Sequence, residues 1–340
     1  MTSSTDEQSP RTSKPIDVLL LQLGTPEAPT AAALRPYLRE FLNDGRVLEI
    51  PQPWRWLLVN FVIAPFRSGK SAAKYRRIWN AETGSPLLEV TRRQTAKLAR
   101  ILGDGFRVRF AMRYGKPSTA SVVRALAEDG CERLVALPMY PQYSATTTAS
   151  AFDALFDAWK RERLMPSILT IRDYHLDEGY LNAVEANIRR NLSAAQASGE
   201  PPQQILVSFH GIPIDYVKRG DPYMRQCAET AKEIARRFGW KKGDWKLVFQ
   251  SRLGRQEWLT PYFDETIKEL GESGVTSVFV TQPGFTADCL ETIDEIGHEG
   301  REDFEKAGGK YLHRAPCLND DHEFIDALAA IVRQESQGWT

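Results

Sequence analysis

Seven short apolar runs, bounded by Gly and Pro, alternate with longer segments of helical period along most of this 340-residue chain. The runs that predict strands lie at 17–23, 106–114, 133–139, 167–171, 204–209, 246–251 and 277–282. Helix candidates lie at 30–43, 86–102, 119–130, 228–239, 261–274 and 322–335. Strands that alternate with helices are typical of βαβ units and parallel sheets. The order therefore predicts an α/β fold.

Two pairs of segments repeat between the halves of the chain. DVLLLQLGTP (17–26) and QILVSFHGIP (204–213) each read as a strand followed by Gly-x-Pro. GCERLVALPMYPQYSA (130–145) and GVTSVFVTQPGFTADC (274–289) each have a helix end at Gly, a strand, and a loop with Pro and aromatic residues. These repeats predict two similar doubly wound halves, each a parallel sheet flanked by helices.

The repeats also predict how the chain is divided. The first half covers residues 16–172 and the second covers 173–318, while 319–340 form a C-terminal helix that packs back on the first half. Residues 1–15 are polar, lack the apolar core of a signal peptide and predict a disordered tail. Because no window approaches eighteen uninterrupted apolar residues, no transmembrane helix is predicted.

The composition gives no sign of a nucleic-acid partner, a zinc ribbon or a disulfide framework. Lys plus Arg and Asp plus Glu balance at 44 each, so the net charge gives no attraction to nucleic acid. The four cysteines form no CxxC pair, which argues against a zinc ribbon or a disulfide framework. A reducing, cytoplasmic location fits this cysteine usage best.

His210 ends a predicted strand and stands in the second repeat where Leu23 stands in the first. In open parallel sheets, ligands bind in the crevice at the carboxyl ends of the strands. A neutral imidazole in this position can accept a proton or bind a metal. The alternative is that the ring only hydrogen-bonds to a neighbouring loop and supports the turn.

An acidic run follows the last predicted strand. Glu291, Glu295 and Glu299 recur every four residues and would share one side of a helix, together with Asp288. No Lys or Arg partner lies within the run, so the stripe predicts a path for metal ions or protons, with a solvated helix face as the alternative. Carboxylates with one imidazole suit Fe²⁺, Mn²⁺ or Zn²⁺.

The segment PWRWLLVNFVIAPFR (53–67) is rich in aromatic and aliphatic residues but too short to span a bilayer. One interpretation is an ordinary buried helix. The other is an exposed apolar lip that binds a large flat hydrophobic ligand or contacts a membrane interface, with Arg55, Arg67 and Lys70 beside it.

Together these segments resemble the ferrochelatase family, over residues 16 to about 335. The motifs that carry the resemblance are QLGTPE (22–27), YLREFLNDGRV (37–47), GSPL (84–87), MRYGKP (112–117), YPQYSATTT (140–148), SFHGIP (208–213), RGDPY (219–223), FQSRLG (249–254) and the ETIDEI helix. The resemblance implies two Rossmann-like, chelatase-type halves that enclose a porphyrin cleft, with a hydrophobic lip at 53–66.

The resemblance also implies roles for individual residues. The catalytic pair is His210, which takes a pyrrole proton, and Glu291. Glu295 and Glu299 continue an acidic ladder, so that metal binding is assigned to His210, Glu291, Glu295 and Glu299. The positions that bind the porphyrin are Leu23, Arg113, Tyr114, Tyr143, Ser144, Ser251 and Trp258.

Three departures from patterns within the family refine this expectation. Ala145 stands where some members have a cysteine ligand, and no cysteine follows Cys317, so no [2Fe-2S] cluster is expected. Cys289 stands where animal-type members have histidine. Leu23 stands where coproporphyrin-using members have tyrosine, which together with the apolar lip favours protoporphyrin IX.

The implied function is therefore insertion of Fe²⁺ into protoporphyrin IX, which gives protohaem and releases two protons in the last step of haem biosynthesis. The alternatives are a chelatase for coproporphyrin III or another tetrapyrrole, and a non-catalytic haem or porphyrin carrier. The expected enzyme is a cytoplasmic monomer without a prosthetic group. It contacts the inner membrane peripherally and meets the oxidase that precedes it in the pathway.

Overall fold

The computed structural model describes residues 14–252, 254 and 256–339, and in this part of the chain eight strands form two parallel sheets. The first sheet has the order β2-β1-β3-β4 and contains β1 (Ile16–Thr25), β2 (Phe106–Gly115), β3 (Arg133–Pro138) and β4 (Ser167–Thr170). The second has the order β6-β5-β7-β8 and contains β5 (Gln204–His210), β6 (Trp245–Gln250), β7 (Ser277–Thr281) and β8 (Tyr311–Arg314). The identical order confirms two similar α/β halves.

Helices connect and cover these strands. In the first half they are α1 (Ala31–Leu42), α2 (Trp54–Leu57), α3 (Ala64–Ile78), α4 (Pro86–Leu102), α5 (Thr119–Glu128) and α6 (Ser150–Trp159). The remaining ones are α7 (Glu178–Ala197), α8 (Ile214–Lys218), α9 (Tyr223–Phe238), α10 (Phe263–Glu272), α11 (Arg301–Lys306) and α12 (His322–Glu335). Segments Leu58–Ile63, Ala145–Ala149 and Glu291–Gly300 are π-helical, and Gln337–Trp339 is a 3₁₀ turn.

All seven predicted strands are present, and the sequence interpretation missed one further strand, β8. The predicted helices are present within a few residues, except that α9 begins at Tyr223 rather than at 228. Residues 1–13 of the predicted disordered tail lie outside the described residues.

One hydrophobic core cluster joins the two halves. It contains Leu20 and Leu137 from the first sheet and Val207 and Phe279 from the second, all essentially inaccessible to solvent. Helix α12 adds its apolar face to this cluster and contacts both α4 and α7. The sheets are therefore held to each other by shared apolar packing as well as by the chain.

The strand order fixes where a ligand can bind. In the first sheet the chain passes from β1 to β2 on one side and then returns to β3 on the other side of β1, and β5, β6 and β7 repeat this arrangement in the second sheet. The positions between β1 and β3 and between β5 and β7 are therefore topological switch points. At the end of β1, Gly24 has φ 111°, and an added Cβ would lie 1.7 Å from the Tyr114 carbonyl oxygen. Only glycine lets β1 and β2 approach so closely beside the crevice.

Candidate active site

One cavity lies where the two switch points meet. Leu23 near the end of β1 and His210 at the end of β5 both line it. Residues from the segments that follow β3 and β7, within 139–147 and 284–291, complete much of its wall. Its empty volume is about 1090 Å³ including the open mouth, and the lining is mostly apolar and aromatic. This is the expected position and character of a ligand site in doubly wound sheets.

His210 presents one ring nitrogen as a base. Its Nδ1 lies 2.6 Å from the Gly211 carbonyl oxygen. Because a carbonyl oxygen can only accept, Nδ1 carries the ring proton in this hydrogen bond, which leaves Nε2 of the neutral ring as a proton acceptor. The Trp258 ring lies beside the imidazole, with 6.5 Å between the centroids, and both residues line the cavity.

Glu291 also lines the cavity and begins the π-helical segment Glu291–Gly300. Its backbone carbonyl accepts a hydrogen bond of 2.8 Å from Gln250 Nε2, and Gln250 Oε1 accepts one of 3.0 Å from Ser208 Oγ. Gln250 is the register partner of His210 across β5 and β6. This buried amide therefore ties the start of the acidic segment to the strands that carry the imidazole.

Glu295 lies close enough to His210 and Glu291 for their charges to act on its carboxyl group. Burial raises its pKa above the usual range and the charge of Glu291 adds to the rise, although the hydrogen bond from Ser251 and the charge of His210 oppose it. Ser251 Oγ donates to the Glu295 carboxyl group at 2.5 Å. The backbone of Ser251 is in the left-handed region, with φ 63°. Glu295 consequently keeps a proton to a higher pH than an ordinary glutamate.

The acidic stripe is not a free line of carboxylates. Glu299 accepts a hydrogen bond of 2.7 Å from Lys74 and another from Arg77, both on α3. Arg77 also pairs through two nitrogens with the fully buried carboxylate of Asp294. Although the run itself lacks cationic partners, α3 supplies them from a distant part of the chain.

Asp288 does not share the face of this stripe, contrary to the sequence expectation. Its carboxylate accepts from Arg314 at 2.7 Å, from Thr292 and from Asn319. Among the residues that the structure describes, no group of three or more His, Cys, Asp or Glu is arranged to hold a metal ion. The assignment of metal binding to His210, Glu291, Glu295 and Glu299 stays a prediction.

Only some of the predicted porphyrin-binding residues line the cavity. Leu23 and Trp258 line the cavity, whereas Arg113 and Tyr114 do not. Arg113 pairs with Asp44, and the Tyr114 hydroxyl also donates to Asp44, at 2.8 Å. The Tyr114 ring is fully buried behind Phe41, with 4.9 Å between the centroids. Both residues thus support the wall from behind.

Tyr143 and Ser144 also lie beside the cavity rather than in its lining. Arg172 stacks over the Tyr143 ring at 4.4 Å from the centroid. Ser144 Oγ donates to the Asp221 carboxylate at 2.9 Å. The sequence interpretation missed several lining residues, namely Phe41, Val47, Tyr140, Gln142, Tyr216, Tyr223 and Phe285. The position after a strand end could have indicated Tyr140, Gln142 and Phe285, and the quoted motifs contain Phe41, Val47 and Tyr223, whereas Tyr216 on α8 gives no such signal.

The apolar segment at 53–66 is exposed, which excludes the interpretation as an ordinary buried helix. Trp54 is 67% exposed, Phe61 62% and Phe66 77%, and Trp56 and Val62 are about half exposed. The segment runs through α2, the π-helical stretch Leu58–Ile63 and the start of α3. No helix within the described residues is long and apolar enough to cross a membrane.

Comparison with solved structures shows that this fold is similar to the fold of chelatases. SirB from Bacillus subtilis, solved with Fe³⁺, aligns with a TM-score of 0.55 at 13% identity, over 95% of this chain and 98% of the other. The sirohydrochlorin chelatase SirB from Bacillus subtilis subspecies spizizenii, in complex with cobalt, gives 0.54 at 13% identity, with 95% and 96% coverage. Two facing doubly wound halves therefore define a chelatase-type fold.

Sequence comparison identifies the family. The ferrochelatase family model matches residues 16–336. Ferrochelatase from Herminiimonas arsenicoxydans is 46% identical over 95% of this chain and 87% of its own length, and that from Mesorhizobium japonicum is 45% identical over 95% and 92%. The chain belongs to the ferrochelatase family. This membership confirms the predicted enzyme class, a lyase that inserts iron into a porphyrin to give haem.

Proposed function

We propose that the porphyrin substrate is protoporphyrin IX and that it binds in the cavity at the two switch points. The lining of this cavity carries the proposal: among the described residues that form it, none is Lys or Arg, and the ionisable side chains of His210 and Glu291 stand among tyrosine, aliphatic and other aromatic groups. Protoporphyrin IX has two carboxylates, whereas coproporphyrin III has four. Desolvating the extra carboxylates without cationic partners would cost binding free energy.

The chemistry follows from what iron insertion requires. The two N–H protons of a porphyrin point into the hole that the metal enters, so insertion needs ring distortion and proton removal. Because Nδ1 of His210 is occupied by the Gly211 carbonyl, Nε2 takes a pyrrole proton as a general base. Glu291 accepts protons at the same wall. The apolar walls hold the macrocycle bent, using binding energy from its periphery.

The test is anaerobic Fe²⁺ insertion into protoporphyrin IX and into coproporphyrin III, measured side by side with the purified full-length chain. We expect repeated turnover with protoporphyrin IX and a kcat/KM for coproporphyrin III that is at least about tenfold lower. Preference for coproporphyrin III would overturn the substrate assignment. Product that stops at one equivalent of enzyme would instead support a porphyrin carrier.

We further propose that the exposed residues of segment 53–66 contact a membrane surface, from which the insoluble substrate is taken. Tryptophan and phenylalanine partition into the interfacial region of a bilayer. Arg67 and Lys70 are exposed beside them and can meet anionic headgroups, whereas Arg55 is used internally, in hydrogen bonds to the Leu48 and Ile50 carbonyls. On this basis the enzyme works at the cytoplasmic side of the inner membrane and receives porphyrin from the preceding oxidase.

Replacing Trp54, Phe61 and Phe66 together with serine is expected to lower the amount of protein that sediments with phosphatidylcholine–phosphatidylglycerol vesicles at least about tenfold, because each aromatic ring contributes about 1.5–3 kcal/mol on burial. Leu164 and Met165 are also about half exposed but lie elsewhere, so Leu164→Ser with Met165→Ser is the matched control. Equal sedimentation of both variants and the wild type would contradict the proposed contact.

The enzyme is proposed to act as a monomer without an iron–sulfur cluster. Ala145 begins a π-helical stretch where a cluster ligand would be needed, and its backbone N–H donates to Asp221. Cys131, Cys227, Cys289 and Cys317 are all buried. Burial raises the pKa of the Cys289 thiol well above its usual value, so this neutral thiol does not replace an imidazole base.

A further inference from the structure

The motif RGDPY (219–223) takes no part in the porphyrin chemistry described above. It forms the turn between α8 and α9 in the second half of the chain. This turn lies at the active-site cavity, because Tyr216 before it and Tyr223 at its end both line the wall. Two of its charged side chains, Arg219 and Asp221, bond to residues of the first half.

Asp221 holds the loop that follows β3. Its Oδ2 accepts a hydrogen bond of 2.9 Å from Ser144 Oγ and one of 2.8 Å from the backbone N–H of Ala145. Its Oδ1 accepts one of 3.0 Å from the backbone N–H of Tyr223, at the start of α9. Hydrogen bonds to a carboxylate are among the stronger ones in proteins. A single side chain therefore joins the start of α9 to the first-half loop.

The residue before Ser144 is also bonded to the second half. The backbone N–H of Tyr143 donates at 2.6 Å to Oε1 of Gln226, which is almost fully buried on α9. Residues 143–145 are therefore three successive residues that each bond to the second half, and Asp221 accepts two of these bonds. The position of this loop relative to α9 is consequently fixed by side chains of the second half.

The bond to Asp221 also determines how Thr146 is held in the cavity wall. The Ser144 hydroxyl has one proton and gives it to Asp221. Ser144 Oγ can then only accept in its other contacts, from the Thr146 N–H at 3.2 Å and from the Thr146 hydroxyl at 2.9 Å. Thr146 lines the cavity from the first half, and Tyr223 lines it from the second. Asp221 therefore connects two parts of the wall that belong to different halves.

A second contact from the same turn is more exposed. Arg219 pairs with Glu49 and stacks over the Tyr216 ring, at 5.2 Å from the centroid. The Tyr216 hydroxyl donates at 3.1 Å to the carbonyl of Val47, another lining residue. Because the Arg219 side chain is more than half exposed, its ion pair contributes little to stability. Asp221, which accepts three hydrogen bonds, is the firmer of the two connections.

We propose that Asp221 is a positioning residue for the porphyrin, which holds the wall at Thr146 and the wall at Tyr223 at a fixed local width. This inference rests on the proposed function, in which protoporphyrin IX binds between these walls. Asp221 is itself outside the cavity lining, so it acts through Ser144 and not on the substrate. Its loss weakens binding of the macrocycle and leaves proton removal at His210 intact.

Asp221→Asn tests the proposal, because the amide keeps the size of the side chain but replaces one accepting oxygen with an NH₂ group. The Kd of the purified full-length chain for protoporphyrin IX is measured by quenching of tryptophan fluorescence. Zn²⁺ insertion, followed by porphyrin fluorescence, gives kcat and KM. We expect Kd and KM to rise about tenfold, because a hydrogen bond to a charged group is lost. Since the interaction concerns binding, kcat stays within about threefold of the wild type.

Asp177→Asn is the matched control. Asp177 caps α7 by accepting a hydrogen bond of 2.9 Å from the Tyr180 N–H, and it is not among the lining residues of the active-site cavity. The melting temperature should fall in both variants, because each loses an acceptor for a backbone N–H at a helix start. Only Asp221→Asn should change Kd. An equal Kd for Asp221→Asn and the wild type would overturn the proposal.

Ser144→Ala shows whether Asp221 acts through the loop. The single variant should raise Kd, and adding it to Asp221→Asn should weaken binding by less than about twofold more, because the two residues share one interaction. Fully additive effects would contradict this route. Should Asp221→Asn fail to fold, Ser144→Ala decides alone, and an unchanged Kd overturns the proposal. Absence of porphyrin binding by the wild type would instead overturn the proposed function itself.

Discussion

Replacement of His210 with alanine is expected to lower kcat for Fe²⁺ insertion by about 10²–10⁴-fold, the range that a positioned general base contributes. The hydrogen bond from Nδ1 to the Gly211 carbonyl fixes the orientation of the imidazole. The variant therefore loses a proton acceptor, Nε2, that is held in a fixed position. KM for protoporphyrin should change little, because most of the cavity lining is apolar and unaltered. Anaerobic initial rates over a range of porphyrin concentrations separate the two constants.

His313→Ala is the matched control for this experiment. His313 lies on β8 of the same sheet, and its ring bonds the Glu200 carbonyl at 3.2 Å, away from the cavity. Its loss should leave kcat within about threefold of the wild type, because ordinary surface changes cost little. If His210→Ala also retained full activity, the ring would be a support for the turn at Gly211, and the assigned base would have to be sought elsewhere.

Glu291→Gln is expected to lower kcat by about 100-fold or more, since the amide keeps the size of the side chain but cannot accept a proton. The fold should be preserved, because Glu291 is tied to Gln250 through its backbone carbonyl and not through its carboxylate. Initial rates of anaerobic insertion and the melting temperature are the two measurements. A drop in melting temperature with unchanged kcat would contradict a role in proton transfer.

Glu299→Gln is the matched control for Glu291→Gln, because both residues lie on the same π-helical segment. Glu299 is about one-third exposed and its charge is already compensated by Lys74 and Arg77. We expect kcat within about threefold of the wild type, because exposed ion pairs contribute about 0–1 kcal/mol and this carboxylate does not line the cavity. A loss as large as that of Glu291→Gln would restore the continuous acidic ladder as the route for protons or metal.

The strands could be predicted because buried parallel strands are short apolar runs, whatever their partners. Strand β8 was not predicted, because its four residues include His313 and Arg314 and do not form an apolar run. Helix α7 was also missed, although its buried residues Tyr180, Leu181, Val184 and Ile188 lie within about 100° of one another around the helix axis. The same buried face includes Ala183 and the polar Asn187, so the contrast between the apolar and polar faces is weak in the sequence.

The site was predictable where position along a strand determines it. The rule that ligands bind at carboxyl ends pointed to His210 at the end of β5, and the acidic run after β7 pointed to Glu291; both side chains line the cavity, and their catalytic roles stay predictions. Arg113 and Tyr114 also lie near a strand end, but Asp44, about seventy residues earlier, draws both away from the cavity. The cations that neutralise Glu299 are more than 220 residues distant in sequence. Such partners depend on tertiary packing, which no local pattern reveals.

The core cluster that joins the sheets has a consequence for how the macrocycle is handled. This cluster continues from one sheet to the other through α4, α12 and α7, so opening the cleft like a hinge would separate parts of it and expose apolar side chains to water. The spacing between the two walls is therefore set by the folding of the whole chain and not by an adjustable joint. Because the walls keep a fixed spacing, the porphyrin ring deforms more easily than the protein does. The bending that insertion requires therefore occurs in the substrate.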